Sequence, residues 1–266
     1  MSPNGKIIEK YFNIYDKRGE LVPFKLNNVQ RIIDEQIMAK GLKRVSILKG
    51  RQFGITTYII AYFLVECMNS YKTAVLVAHD KESTIKLLQR AQLMIKNLKS
   101  PDGSRFNVET SRMNDNEITF KDTNSTFYIG TAGSKGLGRS AAINLLHLSE
   151  IAFYDDPKKM LAGLHPAVPP EGIITQETTA NGWGTWFQQA YYKYMKGEGV
   201  YTAFFLPWNI HGEYKSSTKL TYQQFTDEEK MLADEFKLTP QQIHWRRGHL
   251  DDNDGDIFSF QKEYPL

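Results

Sequence analysis

The sequence predicts an α/β fold built on a largely parallel sheet, and three features of the chain support this prediction. Apolar runs rich in β-branched residues alternate with segments of helical periodicity, which is typical of strand–helix–strand units. One buried strand leads through a basic, glycine-containing loop directly into a helix, and a later apolar strand ends in an acid. With 266 residues, the chain can form one large domain or a core with a small appendage.

The composition excludes several classes of protein. Hydrophobic residues make up 41% of the chain and charged residues 24%, which is ordinary for a globular protein with a buried core. No run of about 18 apolar residues is present, and the first residues lack the apolar segment of a signal peptide. A single cysteine, Cys67, excludes an internal disulfide framework and fits a reducing cytosol. The six histidines are too scattered for a zinc site, and a net charge of +3 does not by itself indicate nucleic-acid binding.

Strands and helices alternate along the first half of the chain. The segment 45–49 is a short buried strand, and the β-rich run 73–79 is the clearest strand of the sequence. Asp80 is placed to cap the next helix, because its carboxylate can accept the free amide groups of the first turn. The elements predicted in this half are strands over 45–49, 73–79, 117–120 and 126–129, and helices over 57–69 and 81–98.

The second half contains further strands and then two helices with recognisable start signals. Thr226 and Thr239 each begin a capping box, and the second box has Pro240 at the first helical position. The strands predicted here cover 143–148, 172–178 and 200–206, and the polar segment 211–221 is a linker. We therefore expect a core over 1–210, which includes an N-terminal extension over 1–20, and a linker with a small C-terminal subdomain over 211–266.

The strongest functional signal is the loop that joins the strand 45–49 to its helix. Backbone amides at a helix N-terminus bind anions, and Gly50 and Gly54 allow the backbone to approach a ligand closely. The hydroxyl of Thr56 stands where phosphate-binding loops place a ligand for nucleotide-bound magnesium. The candidate ATP-binding residues of this loop are Lys49, Gly50, Arg51, Gln52, Phe53, Gly54, Ile55, Thr56 and Thr57.

This loop departs from the standard pattern at one position. Ile55 precedes the hydroxyl where a phosphate-binding loop usually has lysine, so that either Lys49 or Arg51 must supply the cation. The alternative interpretation is an ordinary strand–turn–helix that carries two basic residues.

A second signal is the apolar strand that ends at Glu150. NTPases with a phosphate-binding loop place two residues here: the first belongs to the magnesium shell and the second orients the attacking water. Ser149 occupies the first position and Glu150 the second. A serine can bond a metal-bound water, but it adds no charge. Taken alone, the segment is equally consistent with a buried strand that ends in an exposed glutamate.

A third signal is the strand of residues 173–178 and the small polar residues after it. Hydroxyl and amide groups at a strand end can sense a γ-phosphate and pass its state to a neighbouring segment. The alternative is a common strand-end turn containing Asn181-Gly182.

Two other patterns leave their role open. The basic stretch 40–44 is consistent with a DNA phosphate contact or with a solvated helix end beside the loop. The aromatic residues between 183 and 194 favour a core or a subunit interface over stacking on bases.

The three signals, in this order, resemble the ATPase domain of the large terminase subunit of tailed bacteriophages over roughly residues 20–265. This resemblance implies a RecA-like ASCE P-loop core, a mainly parallel sheet flanked by helices, with a small C-terminal lid. Segment 49–57 is similar to the family's deviant Walker A motif, whose lysine can stand at the front of the loop, and segment 145–153 is similar to its Walker B strand. Residues similar to its coupling motif are Thr178, Thr179, Ala180 and Asn181.

The resemblance also assigns residues outside these three segments. It implies that Gln30, within the segment 23–30, lies on the adenine base. It implies that Arg139 is an arginine finger that reaches a neighbouring subunit. The segments 245–248 and 263–265 are similar to the lid and to the join with the family's nuclease domain.

The function that the resemblance implies is ATP hydrolysis that drives double-stranded viral DNA into a procapsid. ATP and Mg²⁺ would be required, and the partners would be DNA, a small terminase subunit and a homo-oligomeric ring on the capsid portal, in the host cytoplasm without a membrane. A helicase-type ATPase is one alternative, but about 55 residues after position 210 are too few for a second RecA-like domain. A catalytically weak nucleotide-binding structural subunit is the other, because Ile55 and Ser149 depart from the pattern.

Overall fold

The computed structural model describes residues 1–134 and 142–266, and the predicted α/β class is confirmed in them. The strands are β1 (Asn13–Tyr15), β2 (Leu21–Pro23), β3 (Arg44–Lys49), β4 (Thr73–Ala78), β5 (Thr110–Met113), β6 (Glu117–Phe120), β7 (Thr126–Thr131), β8 (Leu145–Ser149), β9 (Ile173–Thr178) and β10 (Thr202–Leu206). The helices are α1 (Pro3–Tyr11), α2 (Asn28–Ile33), α3 (Ile55–Asn69), α4 (Lys81–Lys96), α5 (Pro157–Leu164), α6 (Trp186–Met195), α7 (Asp227–Phe236), α8 (Pro240–Asp251) and α9 (Ile257–Glu263). A π-helix over Asp34–Met38 continues α2.

The central sheet has eight strands in the order β10-β3-β9-β8-β4-β7-β6-β5. The strands from β10 to β7 are parallel, and the hairpin of β6 and β5 adds two antiparallel strands at one edge. Strand β9 lies between β3 and β8, although it follows both of them in the chain. The carboxyl ends of β3, β9 and β8 are therefore neighbours, which is where open α/β sheets place their ligand sites.

Helices cover both faces of the sheet and bury two apolar clusters. In β4, Ala74 and Leu76 face the cluster that includes α1, α2 and α3, whereas Val75 and Val77 face the cluster that includes α5 and α6. This alternation is the period of two expected for a strand that is buried on both sides. No helix within residues 1–134 and 142–266 is long and apolar enough to cross a membrane.

The predicted helix starts are confirmed. The Asp80 carboxylate accepts the Ser83 amide at 2.8 Å at the start of α4. Complete capping boxes begin α7 at Thr226 and α8 at Thr239, and Pro240 occupies the first turn of α8. These signals are local, because a short polar side chain satisfies amides only three residues away.

Several predicted boundaries shift by a few residues. Strand β8 begins at Leu145 instead of residue 143, because the Ile143 amide donates to the Ala167 carbonyl at 2.8 Å and leaves the sheet. Strand β10 begins at Thr202 instead of residue 200, and helix α3 begins at Ile55, two residues earlier than predicted. The basic stretch 40–44 leads into the amino end of β3, so its predicted position beside the loop is wrong.

The N-terminal segment is anchored to the helix that follows the phosphate-loop candidate. Helix α1 packs on α3, and Asp34 is fully buried between them. Its carboxylate accepts hydrogen bonds from the amide and the hydroxyl of Ser2 and from the Tyr58 hydroxyl at 2.7 Å. A buried carboxylate is tolerated only when such donors replace its water shell.

We expect Tyr58→Phe to lower the free energy of unfolding by about 1.5–3 kcal/mol, because it removes a donor to a buried charge and adds no volume. Tyr71→Phe is the matched control, because Tyr71 is exposed. Urea unfolding followed by circular dichroism measures both changes. Equal stabilities of the two variants would contradict the role of Asp34 as an anchor.

Candidate active site

The loop between β3 and α3 requires both of its glycines. Gly54, which caps α3, has φ +72°, and a Cβ there would lie 2.7 Å from the Gln30 Nε2 atom. A Cβ on Gly50 would lie 2.7 Å from the ring of Phe53 and 3.3 Å from the Trp208 Cα atom. Among the described residues, no side chain caps the N-terminus of α3. The first amides of this helix are therefore free donors for an anion.

Lys49 is buried at the centre of the site between two carboxylates. Its Nζ atom lies 2.8 Å from Glu150 Oε1 and 3.1 Å from Glu177 Oε2. Burial opposes the charge of the ammonium group, but the negative charges of Glu177 and Glu150 outweigh it and raise the pKa of Lys49. Lys49 is therefore charged at neutral pH.

Glu150 follows β8 and connects the lysine to the residues after β9. Its backbone has φ +55°, a left-handed conformation that is uncommon outside glycine and is found at functional turns. Its Oε2 atom accepts the Thr179 amide at 3.1 Å and the Thr178 hydroxyl at 3.3 Å. The Glu150 side chain is about one-third exposed at 29%, so water can reach it.

Thr56 and Ser149, the two residues predicted to face magnesium, are brought together. Their hydroxyl oxygens lie 3.3 Å apart. Each hydroxyl is 2.9 Å from Glu177 Oε1 and donates to it. Glu177 is wholly buried in β9 and received no role from the sequence. The available signal was an acid inside a segment otherwise predicted to be a buried strand.

These oxygen atoms fit a magnesium ion. Hydroxyl and carboxylate oxygens are the ligands that Mg²⁺ prefers, and Mg²⁺ at nucleotide sites takes only one or two protein ligands besides phosphate. Glu150 and Glu177 face a single lysine, so the site carries one excess negative charge. In the described part of the chain, no group of three or more His, Cys, Asp or Glu residues forms a preformed metal site.

His147 lies beneath this cluster and adds no charge to it. Its Nε2 atom is 3.8 Å from Glu177 Oε1, and its Nδ1 atom is 2.8 Å from the Thr175 hydroxyl. Burial lowers the pKa of His147 to about 3, so that the imidazole is neutral at physiological pH. Within residues 1–134 and 142–266, Lys49 is thus the charged partner of both carboxylates.

The remaining loop residues take different positions. The Arg51 guanidinium is half exposed and pairs with Glu263 Oε2 at 3.4 Å, away from Glu150. Gln52 is exposed with φ +56°. The side chains of Phe53 and Ile55 are buried in the core, so these two residues can offer a ligand only their backbone.

Gln30 lies against the loop. Its Nε2 atom donates to the Gly54 carbonyl at 2.8 Å, and its Oε1 atom accepts the Asn27 amide at 3.0 Å as part of a capping box. Gln30, Gly54, Thr57 and Arg90 line a cavity of about 710 Å³. The Arg90 guanidinium donates to the Thr57 hydroxyl at 2.7 Å. The contact of Gln30 with a base stays a prediction.

The residues after β9 contact the C-terminal segment. Asn181 donates through Nδ2 to the Ala152 carbonyl at 2.9 Å, which ties the segment to the turn after Glu150. The Ala180 amide donates to the Lys262 carbonyl at 3.1 Å, and the Arg51 amide donates to the Glu263 carbonyl at 2.8 Å. Arg139, the predicted arginine finger, lies outside the described residues.

The fold of this chain is shared with solved large terminases. The HK97 bacteriophage large terminase matches with a TM-score of 0.66 and 14% identity, over 100% of this chain and 55% of its own. The large terminase ATPase domain of Thermus phage P74-26 matches with a TM-score of 0.56 and 13% identity, over 91% of this chain and 93% of its own. The large terminase of a thermophilic bacteriophage gives 0.52 and 13%, over 68% and 46%. No family model and no curated protein matches the chain.

These similarities show that the chain has the RecA-like α/β fold of the terminase ATPase domain, and they confirm the predicted fold. The chain spans about half the length of the HK97 terminase, 55%, and of the terminase from the thermophilic phage, 46%. It corresponds to nearly all of the P74-26 ATPase domain, 93%.

We expect Gly54→Ala to destabilise the protein more than Gly41→Ala. Both glycines have positive φ, +72° and +68°, so both variants lose about 1–2 kcal/mol to left-handed strain. A Cβ at position 41 meets nothing within 4 Å, whereas one at position 54 displaces Gln30 and its hydrogen bond, a further loss of about 1 kcal/mol. Urea unfolding measures the difference, and equal losses would contradict the close contact of Gln30 with the loop.

Proposed function

We propose that this chain is the ATPase motor domain of a machine that moves double-stranded viral DNA into a procapsid. The observation that carries the proposal is the contact of Lys49 with Glu150, 2.8 Å apart at the carboxyl edge of the sheet. It places a cation and an acid beside a loop with free helix amides. The terminase fold supports DNA packaging as the use of that ATPase.

The loop would bind the phosphates of ATP. The free amides at the start of α3 and the positive end of the helix dipole attract the phosphate oxygens. Lys49 exchanges its carboxylate partners for the β- and γ-phosphates and neutralises charge there. Its position favours Lys49 over Arg51 as the substitute for the lysine missing at Ile55, because Arg51 is paired with Glu263.

Glu150 would orient the attacking water. When Lys49 moves toward the phosphates, Glu150 Oε1 becomes free to accept a hydrogen bond from water. Thr56 and Ser149 would hold Mg²⁺ and its water shell, and the ion supplies positive charge to the β- and γ-phosphate oxygens. Phosphoryl transfer depends on such positioning and electrostatics more than on covalent chemistry.

The residues Thr178, Thr179, Ala180 and Asn181 would report the nucleotide state. Glu150 holds the Thr179 amide and the Thr178 hydroxyl through the same carboxylate that also holds Lys49. Any rotation of this carboxylate toward water weakens those two bonds. The change then reaches the C-terminal segment through the Ala180 amide.

The assembly follows from the same proposal. DNA, a homo-oligomeric ring on the portal and a small terminase subunit would be its partners in the host cytoplasm. Residues 1–210 would form the ATPase core, and residues 211–266 would form the linker and lid before a nuclease domain. Arg139 as a finger between subunits stays a prediction from the sequence.

We expect Glu150→Gln to bind ATP with the affinity of the wild type and to lose steady-state hydrolysis, because the amide keeps the shape but cannot act as a base. Phosphate release measures turnover, and protection of double-stranded DNA from nuclease in the presence of cognate procapsids measures packaging. Unchanged hydrolysis would exclude the role of Glu150. Binding without turnover in the wild type would instead favour a weak nucleotide-binding subunit.

We expect Lys49→Ala to weaken nucleotide binding by about one to two decades, the value of a charge-assisted phosphate contact of about 1.5–3 kcal/mol. Lys43→Ala and Arg51→Ala are the controls, since Lys43 is at the opposite end of β3 and Arg51 pairs with Glu263. Titration with a fluorescent ATP analogue measures affinity, and thermal melting establishes that each variant is folded. A loss in Arg51→Ala together with a silent Lys49→Ala would reverse the assignment.

A further inference from the structure

We infer that Glu177 supplies the carboxylate that position 149 lacks and that it positions Thr56 and Ser149 for the nucleotide-bound magnesium ion. Ser149 occupies the place where NTPases of this class usually have an acid. Glu177 pairs with Ser149 in register on the neighbouring strand, and both are buried. The missing charge is thus restored from β9 at the same height of the sheet. This inference rests on the proposed function.

The hydrogen bonds of Glu177 have the direction that this role requires. Its Oε1 atom is 2.9 Å from both hydroxyl oxygens, and an ionised carboxylate can only accept. Thr56 and Ser149 therefore spend their protons on Glu177. A hydroxyl has two lone pairs besides its proton, so these remain available for a metal ion or a metal-bound water. Glu177 would act through the two hydroxyls as a positioning residue.

The pairing of Lys49 does not by itself explain Glu177. Glu150 already lies 2.8 Å from Lys49, so the charge of the lysine is balanced without a second acid. Burying another carboxylate costs several kcal/mol unless something compensates it. The neutral His147 offers no charge. A divalent cation beside Thr56 would compensate the excess negative charge, and it would do so only when nucleotide is bound.

The test compares the affinity for a non-hydrolysable ATP analogue with Mg²⁺ and with EDTA, measured by calorimetry on the full chain. We define the ratio of the two affinities as the magnesium enhancement. We expect Glu177→Gln to reduce this enhancement by about 10- to 100-fold, as loss of an outer-shell partner of a metal does. Thermal melting shows that the variant is folded, and Mn²⁺ paramagnetic resonance reports the metal directly.

The matched variant is the double substitution Ser149→Asp with Glu177→Gln, which moves the carboxylate from β9 to the conventional place on β8. We expect it to recover the enhancement that Glu177→Gln loses. Glu150→Gln is the control, because it should keep the enhancement although it loses turnover. A merely structural role of Glu177 would lower both affinities together and leave their ratio unchanged.

The outcomes separate this inference from the function on which it rests. A wild type that binds no nucleotide overturns the proposed function and the inference with it. Full enhancement in folded Glu177→Gln overturns the inference alone, and so does a loss that the double variant does not recover. If Glu177→Gln does not fold, Glu177→Asp keeps the charge opposite Lys49 but withdraws it from Thr56. It should then lose the enhancement, and full enhancement in it overturns the inference.

Discussion

The structure of the site depends on one buried ammonium group. Lys49 carries a charge that is removed from water, and a buried charge persists only when it is paired. Its two partners come from different strands, Glu150 after β8 and Glu177 within β9. The ion pairs therefore hold three strand ends together, and they do so with one negative charge in excess. Phosphate and its metal ion can enter such a site without creating a new unbalanced charge.

Sequence reasoning found those site residues that carry a local signature. Lys49, Thr56 and Glu150 each stand where a strand ends or a helix begins, and such positions are visible in a short window. Glu177 could not be found in this way, because its meaning comes from β9 lying between β3 and β8. Its contact with Thr56 joins residues 121 positions apart, and no periodicity reports a contact of that kind.

The same division holds for the fold. Capped helices such as α4, α7 and α8 were predictable because Asp80, Thr226 and Thr239 satisfy amides of their own first turn. Strand starts were less predictable, since Ile143 leaves the sheet for a hydrogen bond to a distant carbonyl. The place of α1 was not predictable, because it depends on Ser2 meeting Asp34 across 32 positions. Tertiary contacts decide those details.

The end of α9 has a kinematic consequence. Its last two carbonyls, on Lys262 and Glu263, accept the amides of Ala180 and Arg51 and so satisfy acceptors that a helix terminus leaves open. Neighbouring carbonyls are separated by one planar peptide unit, which has no internal freedom. The two loops are thereby coupled as the arms of a single lever whose fulcrum is this dipeptide. A small rotation of α9 about its own axis must displace both arms together for as long as the two hydrogen bonds persist.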